Sequence, residues 1–113
     1  MWIITEFGFF SVVAKAGDAE AGMLTVRARQ RGDLEALRAK YLPTLGPIKA
    51  TKGTDYAYRA RAPRLAVAAA VALAIEAIAY DNFKSQVRKT QGSKREAVLH
   101  RVWHELYALQ RAA

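Results

Sequence analysis

The predicted fold is decided by residues 64–89, which read RLAVAAAVALAIEAIAYDNFKSQVRK. From Leu65 to Ala79 the only charged residue is Glu76, and the commonest residue is alanine, the best helix former. A helix that is apolar on nearly every side is normally buried on most of its circumference. We therefore expect one long helix here, with the rest of the chain packed around it.

Three segments outside this stretch have the composition or the alternation of β-strands. Residues 1–14 are rich in β-branched and aromatic side chains, and Gly8 interrupts them. They form either a tight hairpin or one long strand bent at a bulge, and we favour the bent strand because so few residues precede Gly8. Residues 23–30 and 55–62 alternate apolar and basic side chains with period two, which is typical of half-buried strands.

Two further helices are predicted from capping residues and apolar stripes. Asp33 is a natural N-cap for a helix that carries Leu34 and Leu37 on one face and ends at Pro43. Near the end of the chain, Ser93 and Glu96 have the spacing of a capping box. The apolar stripe predicted to be buried on that last helix consists of Leu99, Val102, Leu106 and Leu109.

These elements predict a single α+β domain over residues 1–113, in the order β-β-α-β-α-α. A small antiparallel sheet of three or four strands would carry three helices on one face. So small a sheet leaves exposed edges, and such domains often pair through an edge or a helix pair. We therefore expect a homodimer.

Composition limits the function classes without naming one. The 113 residues include 18 Lys and Arg against 10 Asp and Glu, a net charge of +8, and no cysteine. This charge favours an anionic partner, and the missing cysteine excludes thiol chemistry. The first residues lack the basic start of a signal peptide, and Leu65–Ala79 is too short to span a membrane. We expect a cytoplasmic protein of bacterial type with no membrane partner.

The most informative pattern is arginine at alternating strand positions. Period-two alternation places each set on one face of the sheet, so neighbouring strands would combine them into one basic surface. Guanidinium groups bind phosphates and carboxylates bidentately. The alternative is a solvated face whose arginines pair with Glu6, Asp18 or Asp55. The predicted anion-binding residues, two loop lysines included, are Arg27, Arg29, Arg31, Lys49, Lys52, Arg59 and Arg61.

A nucleic-acid platform on a sheet also needs aromatic side chains on the basic face. Tyr56 and Tyr58 alternate with the arginines, which predicts that they lie on the opposite, helix-covered face. Phe9 belongs to a glycine-aromatic run that matches the signature of RNA-recognition domains poorly. We therefore expect all three rings to pack in the core.

No catalytic set, cofactor motif or strong metal motif is present. His100 and His104 lie four residues apart on the last helix, a spacing that can chelate a metal. They lack a further histidine or a cysteine as a third ligand, so a solvated helix face is favoured. We predict a protein that is not an enzyme and needs no cofactor.

The polar residues within residues 80–84 are a weaker candidate. Asp81 and Asn82 would either orient a ligand or a partner, or mark where the long helix reaches solvent. Together with Trp103 and Tyr107 they form the alternative interaction site, which would bind a protein through the helices.

Several motifs resemble a small family of uncharacterised bacterial proteins. They include the opening WIITEFGFFSVV, the run LTVRAR at residues 24–29, and the closing VWHELY at residues 102–107. The resemblance spans nearly the whole chain and implies a stand-alone bacterial module, in some cases carried by mobile elements, but no activity. A looser likeness to amino-acid-sensing ACT domains is at the level of fold only.

Three hypotheses follow. The first is a binding module whose arginine-rich sheet face holds an anionic partner, nucleic acid before others. The second is a protein-interaction module or inhibitor, related to mobile elements or defence, that acts through its helices or a sheet edge. The third is an ACT-like regulatory domain that binds a small ligand.

Overall fold

The computed structural model describes residues 1–111 and has the predicted α+β class. Its strands are β1 (Trp2–Thr5), β2 (Gly8–Val13), β3 (Met23–Ala28), β4 (Lys49–Ala50) and β5 (Tyr58–Pro63). Its helices are α1 (Asp18–Ala21), α2 (Arg31–Lys40), α3 (Arg64–Glu76), α4 (Phe83–Gln91) and α5 (Ser93–Arg111). The described residues thus contain five strands and five helices, more of each than the sequence predicted. None of these helices has both the length and the hydropathy of a transmembrane span.

The strands form one sheet in the order β1-β2-β3-β5-β4, and every neighbouring pair is antiparallel. The two arginine-bearing strands, β3 and β5, are therefore adjacent. Arg27 lies directly opposite Arg59, and Thr25 lies opposite Arg61. The arginines of the two strands therefore share one face of the sheet, as the predicted basic surface required.

One face of the sheet holds the core. In β3, Val26 and Ala28 are buried while Arg27 between them is only partly covered, which confirms the predicted alternation. Helix α2 covers this face with Leu34 and Leu37. The buried cluster comprises Phe10, Val26, Ala28, Leu34, Leu37, Leu42, Leu45, Ala60, Ala62, Val67 and Ala70.

The preference for one bent strand at the start of the chain is wrong, because β1 and β2 form a hairpin. Two residues, Glu6 and Phe7, make the turn. The Thr5 hydroxyl accepts a hydrogen bond from the Phe7 N–H at 3.2 Å and donates one to the Gly8 carbonyl at 2.9 Å. A side-chain hydroxyl that bonds its own turn makes so short a connection feasible.

Both predicted N-caps are also wrong. Helix α2 begins at Arg31, so Asp33 lies inside its first turn, where Oδ2 accepts the N–H of Phe9 at 3.0 Å. This buried carboxylate ties the helix to β2. In α5, Ser93 is the first helical residue, and the N–H of Glu96 bonds to the Gly92 carbonyl at 3.3 Å.

The long, buried helix over residues 64–89 is the largest error of the sequence prediction. Helix α3 ends at Glu76 and buries only Val67 and Ala70. Leu65 is 83% exposed, and Ile75 is 62% exposed. The core face of the sheet is already covered by α2, so only the first turns of α3 find apolar partners.

The chain divides into two compact units; the first ends at Ile78 and the second begins at Ala79. In the second unit, α4 and α5 pack as a helical hairpin. Gly92 joins them with a φ of 91°, a value that favours glycine. Val87 and Leu99 are buried, whereas Leu106 and Leu109 are exposed. The predicted buried stripe of α5 is therefore buried only at its first residue.

Candidate nucleic-acid interface

The face of the sheet opposite the core carries a row of residues that crosses all five strands. Residues paired in an antiparallel sheet have side chains on the same face, so the register gives the row directly. From β1 to β4 it consists of Trp2, Ser11, Arg27, Arg59 and Lys49. A second, shorter row contains Val13, Thr25 and Arg61.

Arg27 and Arg59 are the centre of the first row. Nη2 of Arg27 donates to the Ser11 hydroxyl at 2.8 Å, and Nη2 of Arg59 donates to the Tyr56 carbonyl at 3.4 Å. The Nε atoms of both side chains are buried and have no hydrogen-bond partner in residues 1–111. Within the same residues, neither guanidinium forms an ion pair with a carboxylate. Two adjacent cations are thus held without a neutralising charge.

The Tyr56 ring lies against Arg27 and Arg29, which corrects the prediction that it packs under the helices. The guanidinium carbon of Arg27 lies 4.5 Å from the centroid of the Tyr56 ring, and that of Arg29 lies 4.9 Å from it. Tyr56 precedes the first residue of β5, so the alternation of that strand does not determine its direction. Tyr58, which is in the strand, packs against the core as predicted.

Two more aromatic side chains continue this surface. The Phe9 ring lies 6.3 Å from the Tyr56 ring and 5.6 Å from the Trp2 ring, centroid to centroid, the latter in an edge-to-face arrangement. Phe9 is half-buried on this face rather than in the core cluster, and Trp2 is 67% exposed. We call this surface the arginine face; it consists of Trp2, Phe9, Arg27, Arg29, Lys49, Tyr56, Arg59 and Arg61.

Asp18 is a carboxylate that reaches this face through Arg61. It is buried and accepts hydrogen bonds from the Lys15 N–H at 2.8 Å, the Thr25 hydroxyl at 2.7 Å and Nε of Arg61 at 2.8 Å. The backbone bond from Lys15, then the Thr25 hydroxyl and Arg61, hold the pKa of Asp18 below its ordinary value. Arg61 is thereby neutralised, while Arg27 and Arg59 are not.

Two predicted anion-binding residues do not join the arginine face. Arg31 is the first residue of α2, not part of β3, and its Nε lies 3.8 Å from a carboxylate oxygen of Glu35 one turn along the helix. Lys52 is exposed in the turn that follows β4 and lies outside the paired strand positions that form the face. The other five, Arg27, Arg29, Lys49, Arg59 and Arg61, are brought together.

The histidines form no metal site in residues 1–111, where no three candidate ligands cluster. Nδ1 of His100 lies 3.2 Å from the Lys84 ammonium, and the His100 ring stacks on Trp103 with centroids 5.6 Å apart. A lysine beside the ring would repel a metal cation. His104 is exposed.

The residues of the alternative interaction site have separate roles. Asn82 is the N-cap of α4, and its Oδ1 accepts the Ser85 N–H at 2.9 Å. Asp81 is exposed in the segment before that helix. Trp103 and Tyr107 stack along α5 with centroids 5.6 Å apart, and both are partly exposed.

Sequence reasoning missed the three aromatic residues of this surface, Trp2, Phe9 and Tyr56, and it also missed Ser11, which bonds to Arg27. Trp2 lies opposite Ser11 only because β1 and β2 form a hairpin. The prediction of one bent strand at Gly8 therefore gave no reason to place either residue on this face. The signal for Tyr56 was weaker, since the glycine-rich segment before it gives no strand register.

No protein-family model, curated protein or solved structure matches the chain.

Proposed function

We propose that the chain is a non-enzymatic module that binds single-stranded nucleic acid on its arginine face. The observation that carries this proposal is the direct pairing of Arg27 with Arg59 on adjacent strands, with no carboxylate between them in the described residues. Phosphate oxygens are the partners that such guanidinium groups bind best.

The pairing has an energetic cost that a bound phosphate would offset. Like charges directly opposite each other destabilise an antiparallel sheet, and a buried donor without an acceptor costs about 1–3 kcal/mol. The Tyr56 ring offsets part of the repulsion, because ring faces attract guanidinium groups. It also holds Arg27 and Arg29 over one ring, so less side-chain entropy is lost on binding.

The aromatic side chains favour a single strand over a duplex. Unpaired bases stack on exposed rings, whereas the bases of a duplex are already stacked and present mainly phosphates. Trp2 is the most exposed ring of the face and lies in the same row as Arg27 and Arg59. A strand that follows this row would meet a stacking surface at one end and three cations towards the other.

The test is fluorescence anisotropy with short labelled single-stranded RNA, single-stranded DNA and double-stranded DNA, each titrated at several salt concentrations. We expect the single strands to bind more tightly than the duplex, and affinity to fall steeply as salt rises. The double variant Arg27→Ala/Arg59→Ala should bind at least tenfold more weakly. It should also reduce the salt dependence by about 1.4 in log–log slope, because two phosphate contacts to a single strand are lost.

The control variant, Arg31→Ala/Lys40→Ala, removes two positive charges from α2 and leaves the arginine face intact. It should bind nearly as the unmodified chain does. Trp2→Ala should weaken binding of the single strands and leave the duplex unaffected. No binding at low salt, or equal losses for the two double variants, would show that the arginine face is not a nucleic-acid site.

A further inference from the structure

The second half of α5 exposes an apolar stripe that its own hairpin does not cover. Helix α5 has 19 residues and α4 has 9, which correspond to about 28 Å and 14 Å of helix. Because the two run antiparallel from Gly92, α4 reaches only the first half of α5. Leu99 is buried there, whereas Leu106 is 56% and Leu109 is 72% exposed.

The spacing of these residues is that of a helix-pairing seam. Leu99, Val102, Leu106 and Leu109 follow one another at intervals of three, four and three residues, which places them within about 80° of the helix circumference. This is the a/d pattern of a coiled coil. Helix α3 also exposes large apolar residues, but Leu73 and Ile75 lie about 80° on either side of Leu65, about 160° from each other, and make no seam.

The borders of the seam are compatible with a second copy of the same helix. Val98 and Glu105 lie towards one border, and Trp103 and Gln110 lie towards the other. Glu105 is the only charged residue among these four, so pairing of two copies brings like charges together at Glu105 at most. The stacked rings of His100, Trp103 and Tyr107 lie along the second border and are engaged with each other and with Lys84. Within residues 1–111, the later part of the seam, Leu106 and Leu109, remains exposed.

The exposed area suits a dimer. A fully buried aromatic side chain contributes about 150–250 Å², so the exposed parts of Val98, Trp103, Leu106, Tyr107 and Leu109 amount to roughly 500 Å² in one copy. This is comparable to the largest apolar patch of a typical monomer, which is often an interaction site. Two such surfaces together reach the roughly 1,000 Å² that a specific interface requires.

Charge selects the direction of pairing. The turn between α4 and α5 is flanked by Arg88, Lys89, Lys94 and Arg95, with no acidic residue among residues 82–95. Parallel pairing would bring two such turns side by side, whereas antiparallel pairing places them at opposite ends and opposes the helix dipoles. We infer that the chain forms a two-fold symmetric dimer through antiparallel pairing of α5 seams, with Val102 of one copy facing Leu106 of the other.

The first experiment is sedimentation velocity of the full chain from low to high micromolar concentration. We expect a concentration-dependent dimer, and Leu106→Glu should raise its dissociation constant at least tenfold. The matched control is Leu65→Glu, which places the same charge on an exposed leucine of α3 and should leave the dimer intact. Circular dichroism checks that both variants fold. A monomer at all concentrations, or a dimer that Leu106→Glu does not weaken, would overturn the inference.

The second experiment tests the direction of pairing. The chain has no cysteine, so single-cysteine variants give unambiguous cross-links. When Val102→Cys and Leu106→Cys are mixed and oxidised, antiparallel seams should give mainly the mixed disulfide. Disulfides formed mainly between identical variants would contradict antiparallel pairing, because a parallel seam brings identical residues together.

Discussion

The two faces of the sheet are built from alternate residues of the same strands, yet they are stabilised in different ways. The core face buries Val26 and Ala60 in one apolar cluster with Leu34 and Leu37 of α2. The arginine face places Arg27 against Arg59, and two buried Nε atoms there have no hydrogen-bond partner among residues 1–111. Apolar packing stabilises the core face. On the arginine face, by contrast, adjacent like charges and unpaired buried donors lower the stability of the fold. This contrast is why we assign binding to the second face.

The largest expected effect is on the core face. Leu34 is fully buried, so Leu34→Ala should lower the free energy of unfolding by about 3–4 kcal/mol through lost burial and the cavity left behind. Leu65→Ala makes the same change at an exposed position of α3 and should alter it by no more than about 0.5 kcal/mol. Urea denaturation measures both. Equal losses would mean that Leu65 is buried in solution.

A smaller effect is expected at Gly8, where the strand, the core and α2 approach one another. A methyl group there would lie 2.8 Å from Cζ of Phe10 and 2.9 Å from Cβ of Asp33. Gly8→Ala should therefore destabilise the fold by about 1–3 kcal/mol. The control is Gly32→Ala in α2, where a Cβ meets nothing within 4 Å. There alanine should stabilise the fold by about 0.5–1 kcal/mol, because it forms helix better than glycine. Thermal unfolding should shift in opposite directions for the two variants.

The third effect concerns Asp18, the carboxylate that reaches the arginine face. Its folded-state pKa is lowered from the ordinary value of 3.8, chiefly by the Lys15 N–H. Its contribution to stability is therefore fully present above about pH 4 and is lost as the pH falls through the folded-state pKa. Asp18→Asn should be less stable at pH 7 and lose less stability between pH 5 and pH 2 than the unmodified chain does.

The control for this pH dependence is Asp55→Asn, which removes an exposed carboxylate and should keep the steeper loss of stability in acid. Urea denaturation at a series of pH values makes the comparison. Identical slopes for Asp18→Asn and the unmodified chain would show that the bonds from Lys15, Thr25 and Arg61 do not stabilise the carboxylate form.

The wrong prediction for α3 shows that apolar composition predicts burial less well than an apolar stripe does. Apolar content alone predicted a buried helix, whereas the two leucines of α2 that lie on one stripe, Leu34 and Leu37, are buried as the stripe predicted. An apolar stripe specifies which side of a helix faces the core. A helix that is apolar all round could face the core with any side, so its composition does not specify how much of it is buried. The end of α3 had a local signal, because Asn82 is a good N-cap and begins α4.

The sequence by itself determined the α+β class, the alternation of β3 and β5, and the presence of basic side chains on one face, because strand periodicity is a local property of the chain. The tertiary structure decided that β3 and β5 are neighbours, that Tyr56 lies with the arginines, and that Asp18 neutralises Arg61 alone. These depend on strand order, on turn geometry and on contacts between residues as far apart as 43 positions. No local pattern encodes such contacts, since they are fixed only when the whole sheet forms.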